Sequence, residues 1–402
     1  MSYIPKLRFP EFSGEWEEKK LEEICDPPKY GLNSAGIEFD GIHKYLRITD
    51  IDEITHTFSP TDITTPSEFN DEYLLNKNDI VFARTGASTG KTYLYDSNDG
   101  DLYFAGFLIK FHVKDANARF VFYQTLTHKY SKWVHVMSTR SGQPGINSEE
   151  YGSYKIKLPD IHEQQKIADF LSNVDSIITA ETKILNTLQK KKKALMQKLF
   201  TQQLRFKSAN GTDFPAWEEK KLGDVCDIIG GGTPDTNKAE YWNGNIQWFT
   251  PTEIGNTKYI SESKRKITQL GFEKSSAKLL PVGTILFTSR ATLGEMSITT
   301  VECTTNQGFQ SLIPNKNFIH SDYLYYLQPF LQKYCYSKAS GSTFLEISAK
   351  SLKECHIPLP CKVEQQKIAD CLSSMDSLIQ TQQKVVTTWQ QRKKALLQQM
   401  FI

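Results

Sequence analysis

The stretch Glu163-Gln-Gln-Lys-Ile-Ala-Asp169 returns 201 residues later as Glu364-Gln-Gln-Lys-Ile-Ala-Asp370, in a chain of 402 residues. The same offset relates Trp16-Glu-Glu-Lys-Lys-Leu21 to Trp217-Glu-Glu-Lys-Lys-Leu222, and Lys192-Lys-Ala-Leu195 to Lys393-Lys-Ala-Leu396. Between Glu163 and Phe200, 21 of 38 positions match their partners. The preceding stretches agree far less. One local match, Ile80-Val-Phe82…Ala87-Ser-Thr-Gly90 with Ile285-Leu-Phe287…Ala291-Thr-Leu-Gly294, needs a one-residue gap. The order is therefore variable unit, constant segment, variable unit, constant segment, which implies a pseudo-two-fold design.

The constant segments read as long helices. Neither Gly nor Pro occurs in 160–210 or 361–402. Ile167, Leu171, Val174, Ile178, Leu185, Leu188, Leu195 and Leu199 step by alternating fours and threes, with Glu181 and Lys192 as polar breaks. Ile368, Leu372, Met375, Ile379, Val386, Trp389, Leu396 and Met400 repeat the ladder, with Gln382 and Lys393 as breaks. A heptad seam needs a partner helix, and the other copy, running antiparallel, is the nearest. On that reading Glu181 faces Lys393 and Gln382 faces Lys192.

The variable units read as mixed α/β. Short β-like runs fall at 44–48, 79–83, 104–113 and 156–158, and at 246–249, 284–288, 309–313 and 356–359, with amphipathic helices over 121–136 and 321–336. Strands without regular β-α-β alternation argue for a curved sheet with peripheral helices. The fold expected is α+β: two α/β domains, 1–160 and 206–360, separated by long antiparallel coiled-coil helices at 161–205 and 361–402.

Composition bounds the function. Lys plus Arg number 48 against 46 Asp plus Glu, a net charge of +2, which excludes a polycation but not local basic patches. Hydrophobic residues at 39% support packed cores. No run of eighteen apolar residues stands out and the N-terminus carries no secretory pattern, so a soluble cytoplasmic protein is expected. Seven Cys without a C-x-x-C pair suggest neither a disulfide framework nor a zinc ribbon.

No catalytic constellation emerges. Gly86-Ala-Ser-Thr-Gly-Lys-Thr92 has three residues between its glycines where a phosphate loop needs four. Asp26-Pro-Pro-Lys-Tyr30 is interrupted by Lys29, and Cys355, His356, Cys361 and Cys371 fit no zinc spacing. What remains are loops combining Gly, hydroxyls and basic groups, the types that hold phosphates and read base edges. The candidates are Lys44, Arg47, Arg84, Thr85, Ser88, Lys91, Arg140, Ser141, Gln143 and Asn147 in the first domain. In the second they are Thr233, Thr250, Thr252, Ser289, Arg290, Thr292, Ser340, Ser342 and Thr343. A protein-binding coiled-coil scaffold and an ATPase built on 86–92 are the rival readings.

Two motifs carry a family resemblance. Gly230-Gly-Gly-Thr-Pro-Asp235…Tyr241-Trp-Asn-Gly-Asn-Ile246…Trp248-Phe-Thr-Pro251 resembles the opening of a target-recognition domain. Pro159…Glu163-Gln-Gln-Lys-Ile-Ala-Asp-Phe-Leu171…Asp175, with its echo at Pro360…Asp376, resembles the constant regions of the specificity subunit of Type I restriction-modification systems. The first domain departs from the opening pattern, with Asp26-Pro-Pro-Lys-Tyr-Gly31 in place of the glycine run. The resemblance implies a non-catalytic DNA-binding subunit whose two domains each read half of a split double-stranded target. It implies two modification subunits docked on the helices, supplying S-adenosylmethionine-dependent methylation. It also implies two restriction/motor subunits using ATP and Mg2+, with no cofactor, metal or membrane for this chain.

Overall fold

The computed structural model describes residues 4–68, 70–139, 143–290, 292–339 and 345–401. The chain divides into two units, Met1–Ile184 with Gln382–Ile402, and Leu185–Thr381. Each unit holds one globular domain and a half of each long helix, Ile161–Phe200 and Lys362–Phe401.

The two domains share a strand plan. In the first, a four-stranded sheet runs Lys29–Tyr30, Leu108–His112, Asp79–Ala83, Thr92–Leu94. In the second, Cys226–Gly230, Gln310–Pro314, Ile285–Phe287 and Met296–Thr299 take the same order, and Tyr259–Ile260 adds an edge. A parallel pair accompanies each sheet: Lys44–Leu46 with Leu102–Phe104, and Gln247, Trp248 and Phe249 with Cys303, Thr304 and Thr305. An antiparallel ribbon leads into each long helix, Glu17–Lys20 on Lys155–Leu158 and Glu218–Lys221 on His356–Leu359.

Each helix expected over 121–136 and 321–336 is broken in two. Ala118–Gln124 stops before His128–Ser138, where the Thr127 hydroxyl accepts the Tyr130 N–H and restarts the helix. Ser321–Tyr326 stops before Gln328–Lys338, whose first turn holds Pro329.

The recurring Glu-Gln-Gln motif joins the domains to the helices. Glu163 is buried and takes Nε and Nη2 of Arg8, both at 2.7 Å, and Glu364 takes Arg205 at 3.1 and 2.7 Å plus Trp217 Nε1 at 2.9 Å. Gln164 accepts the Asn117 N–H and donates to the Pro159 carbonyl, and Gln365 does the same with His320 and Pro360. A buried carboxylate or amide is tolerable only with such partners, so the motif returns as a unit.

Within the first unit, Ile167 and Leu171 share a core with Leu397, Met400 and Phe401. Within the second, Leu195 and Leu199 pack with Ile368 and Leu372. The start of one helix meets the end of the other each time, so the pairing is antiparallel. Ile167, Leu171, Val174, Ile178, Leu185, Leu199, Ile368, Leu372, Val386 and Met400 are buried, and Leu188, Leu195, Met375, Ile379, Trp389 and Leu396 are half-buried.

The polar register differs from the expected one. Glu181 meets Gln382, whose Nε2 donates to its carboxylate at 2.5 Å and its carbonyl at 3.0 Å. Lys393 pairs with Asp175 at 2.6 Å, and Lys192 with Asp376 at 2.5 Å. The lysines thus reach past the seam to carboxylates nearly two turns from the expected partners, leaving Glu181 and Gln382, equal positions of the repeat, to satisfy each other.

Two glycines answer for the departure in the opening motif. A Cβ on Gly231 would lie 2.0 Å from the Asn306 carbonyl oxygen, and one on Gly31 would lie 2.1 Å from that of Ala105. Both let one segment pass against the turn after the parallel pair, so Gly31 does for the first domain what the glycine run does for the second. We expect Gly31→Ala and Gly231→Ala each to lower the unfolding free energy in urea by about 3 kcal/mol, because backbone must move. Gly230→Ala, with nothing nearer than 3.8 Å, should change it by less than about 1 kcal/mol.

His56, half-buried in the first unit, places Nδ1 2.8 Å from the Thr92 carbonyl, which requires that nitrogen to carry the proton. Burial holds its pKa below the ordinary 6.5, and the Lys393 and Lys91 charges add to this against the Thr92 bond. A depressed histidine pKa means the unfolded chain takes up the proton first, so stability falls as pH drops below about 6.5. Urea titrations from pH 7 to 5 should show that His56→Gln flattens this acid limb by roughly 1 kcal/mol per pH unit.

Candidate nucleic-acid interface

In each domain the central strand runs into a loop that is zipped to the segment before the domain's last short helix. In the first, Ile146 N–H donates to the Arg84 carbonyl at 2.9 Å, Gly86 N–H to that of Pro144 at 3.0 Å, and Thr85 bridges Gly145. In the second, Ile347 N–H donates to the Ser289 carbonyl at 3.0 Å and Arg290 bridges Glu346. A second turn closes on each loop: Arg84 N–H reaches the Phe107 carbonyl at 3.0 Å, and Ser289 N–H that of Gly308 at 2.8 Å. The backbone frame is thus repeated, while the side chains it presents are not.

In the first domain the Arg84 guanidinium lies 5.0 Å over the Tyr30 ring. The Tyr30 hydroxyl is 3.2 Å from both the N–H and the hydroxyl of Ser148, the first residue of the Ser148–Gly152 helix that Asn147 caps. Burial opposes ionisation of this phenol, but the Ser148 hydrogen bonds and the Arg84 charge outweigh it and set its pKa below the ordinary value. Gln143 Nε2 stands beside Gly86, whose φ of +77° turns the loop. Phe107, at the tip of the adjacent turn, is 60% exposed.

The second domain builds its surface on the glycine run. Trp248 Nε1 donates to the Gly232 carbonyl at 2.9 Å and Trp242 Nε1 to that of Asp235 at 3.2 Å, with Arg265 stacked 3.6 Å over the Trp242 ring. The loop so held presents Thr233, whose hydroxyl donates to the Gln307 side-chain oxygen. Gln307 is exposed and precedes Gly308, beside which the half-buried Arg290 lies. Arg290 makes no ion pair among the described residues. Arg84 Nε, Ser289 Oγ, Gln310 Oε1 and Ser311 Oγ are buried without a hydrogen-bond partner among the described residues. Of these residues Arg84 and Gln310 are half-buried, with an atom left for a polar partner, whereas Ser289 and Ser311 are enclosed.

The structure therefore gathers Arg84, Thr85, Gln143 and Asn147 in one domain, and Thr233, Ser289 and Arg290 in the other. It commits several remaining candidates elsewhere. Lys44 donates to the Asp99 carbonyl at 2.5 Å and Arg47 is forked onto Asp50 at 2.9 Å. Lys91 is buried against the Ile48 and Ile51 carbonyls and Glu53, in a turn between two antiparallel strands, so the 86–92 loop cradles no phosphate. Thr250 closes a cap on Glu253, with Thr252 exposed beside it. Ser88 and Thr292 serve as turn residues, accepting the N–H of Lys91 and of Glu295. Arg140, Ser141, Ser340, Ser342 and Thr343 lie outside the described residues. Sequence reasoning missed Tyr30, Phe107 and Gln307, for which only an aromatic or amide beside a glycine gave any signal.

The sequence matches the family described as Type I restriction modification DNA specificity domain over residues 13–190 and 216–388. The Type I restriction enzyme MjaIX specificity subunit of Methanocaldococcus jannaschii is 44% identical over 172 residues, 42% of this chain and 40% of that protein's length. The MjaVIII specificity subunit of the same organism is 25% identical over 410 residues, 97% of this chain and 92% of its own. A crystal structure of the Type I restriction-modification S subunit from M. genitalium superposes with a TM-score of 0.61 at 17% identity, covering 100% of this chain and 99% of that one. Two matched segments on two copies of one loop frame leave a single assignment: the chain belongs to the family of Type I restriction-modification DNA specificity domains.

Proposed function

We propose that this chain selects the DNA sequence on which a Type I restriction-modification complex acts, each domain reading one half of a two-part target. The observation that carries the reading is the repeated loop frame with unlike side chains. A shared frame fixes how a loop meets a duplex, and unlike tips give unlike half-sites. In the first domain Arg84 is placed for a guanine edge or a phosphate, while Phe107 offers an apolar face to a thymine methyl or a base step. In the second, Gln307 supplies the amide geometry that pairs with adenine, Arg290 stands beside it, and Thr233 orients the amide.

The chain itself holds no reaction. Methyl transfer from S-adenosylmethionine, and ATP- and Mg2+-dependent motion or cleavage, belong to modification and restriction subunits docked on the long helices, which also set the spacer. A net charge of +2 gives little counterion-release drive, so tight binding to double-stranded DNA needs those partners. Among the described residues no helix is long and apolar enough to cross a membrane, and we place the complex in the cytoplasm.

Exchanging residues 206–360 for those of a relative, in cells also expressing the modification subunit, should change one half of the methylated sequence and leave the other intact. A change in both halves, or in neither, would sink the modular reading. Arg84→Ala should relax only the half-site of the first domain and Arg290→Ala only that of the second. Each should lose about tenfold to a hundredfold in discrimination, as for one base-contacting fork, read by methylome sequencing.

A further inference from the structure

Each domain is seated on the helices through a three-residue joint that occurs twice. In the first unit the Tyr123 hydroxyl donates to Asp175 at 2.8 Å, Lys393 pairs with the same carboxylate at 2.6 Å, and the Lys393 ammonium stands 5.6 Å from the Tyr123 ring centre. In the second, Tyr326 donates to Asp376 at 2.6 Å, Lys192 pairs with it at 2.5 Å, and the Lys192 ammonium stands 5.5 Å from the Tyr326 ring. Every joint takes one residue from a domain helix and one from each long helix. Burial, with the neighbouring carboxylate, raises both phenols well above their ordinary pKa, so each keeps its proton and donates.

We propose that Tyr123–Asp175–Lys393 and Tyr326–Asp376–Lys192 are positioning joints that lock the angle of each recognition domain on the helix pair and thereby determine which spacer length is accepted. The inference rests on the split-target reading above. One carboxylate serves two tasks: its bond to lysine fixes the register of the helices, and its bond to tyrosine fixes the domain on that register. Adding one base pair to a spacer shifts a half-site by about 3.4 Å and turns it by about 35°. A clamped domain cannot follow that turn, and a loosened one can.

The joints differ in reinforcement. In the second unit Lys258, nearly buried, donates to Ser373 of the second long helix at 2.7 Å, pairs with Asp322 at 2.7 Å and stands 4.5 Å over the Tyr326 ring. In the first unit the corresponding face, between His56, Arg119 and Tyr123, opens instead on a cavity of about 1110 Å³. Beside Tyr123 the first joint has only the solvent-exposed Arg119–Asp169 pair, at 2.7 Å, whereas the second has a buried spare fastening.

The test uses the methyltransferase assembled from this chain and its modification subunits, on targets whose half-sites are fixed and whose spacer is shortened or lengthened by one and two base pairs. Tyr123→Phe, which removes one hydroxyl from a packed site, should leave both half-site sequences unchanged. It should lower the preference for the native spacer about tenfold, the worth of one hydrogen bond to a charged group. Tyr326→Phe should do so by no more than about threefold until Lys258→Met is added. Thermal melts and subunit assembly are checked in parallel, and Lys393→Met provides a second way to open the first joint. Spacer preference within twofold of wild type in a Tyr123→Phe or Lys393→Met complex that assembles normally would overturn the joint. A wild-type complex with no two-part preference would instead overturn the reading beneath it.

Discussion

A carboxylate drawn partly out of water must be met by charge and by hydrogen-bond donors, or it destabilises whatever holds it. On the long helices that demand falls on Asp175 and Asp376, and both are answered by a lysine from the opposite helix and a tyrosine from the domain. The leucine seam supplies most of the burial. A seam of repeating apolar residues, however, tolerates slippage by a heptad at modest cost, whereas a carboxylate with two committed donors does not. Register and domain seating therefore follow from the same pair of oxygens. The Arg8–Glu163 and Arg205–Glu364 forks act in the same sense one layer further out, tying the segment that precedes each domain to the start of a long helix.

Much of this was legible in the sequence, and the part that was not has a physical reason. The strands at Asp79–Ala83 and His356–Leu359 stood where apolar runs ended in turn residues. The long helices followed from uninterrupted periodicity. The partners of Lys192 and Lys393 did not, because layer counting along a seam compares seam residues with one another. Asp175 and Asp376 sit beside the ladder, and a lysine stem is long enough to leave its own layer. The broken helices were equally hidden. Thr127 is an ordinary helix residue by propensity, and only the bond it makes to Tyr130 shows that it restarts the chain.

The candidate surface was legible in type but not in membership. Basic and hydroxyl residues on loops are the right chemistry for a nucleic acid, yet half of such residues serve the fold. Lys91 illustrates the difference. Written after Ser-Thr-Gly it looks available, but its ammonium donates to the Ile51 carbonyl at 3.0 Å and the Ile48 carbonyl at 3.4 Å. Phe107 illustrates the converse. As a phenylalanine before an apolar strand it reads as core, and only the turn geometry leaves it 60% exposed.

The glycines show why the two domains can share a frame and still differ. Gly31 and Gly231 sit where one backbone crosses another too closely for any side chain, so these positions are dictated by the fold and carry no information about a ligand. The tips are free of that constraint. Phe107 and Gly308 give the frame a backbone carbonyl, which accepts from the Arg84 and Ser289 N–H groups. A substitution at a tip such as Phe107 or Gln307 thus alters what is presented without altering a backbone hydrogen bond of the frame, whereas a change at a joint residue removes a bond to its carboxylate. The repeat shows identity concentrated in the helices and divergence through the domains, and the bonding accounts for the first: the helices carry the carboxylates and lysines of both joints.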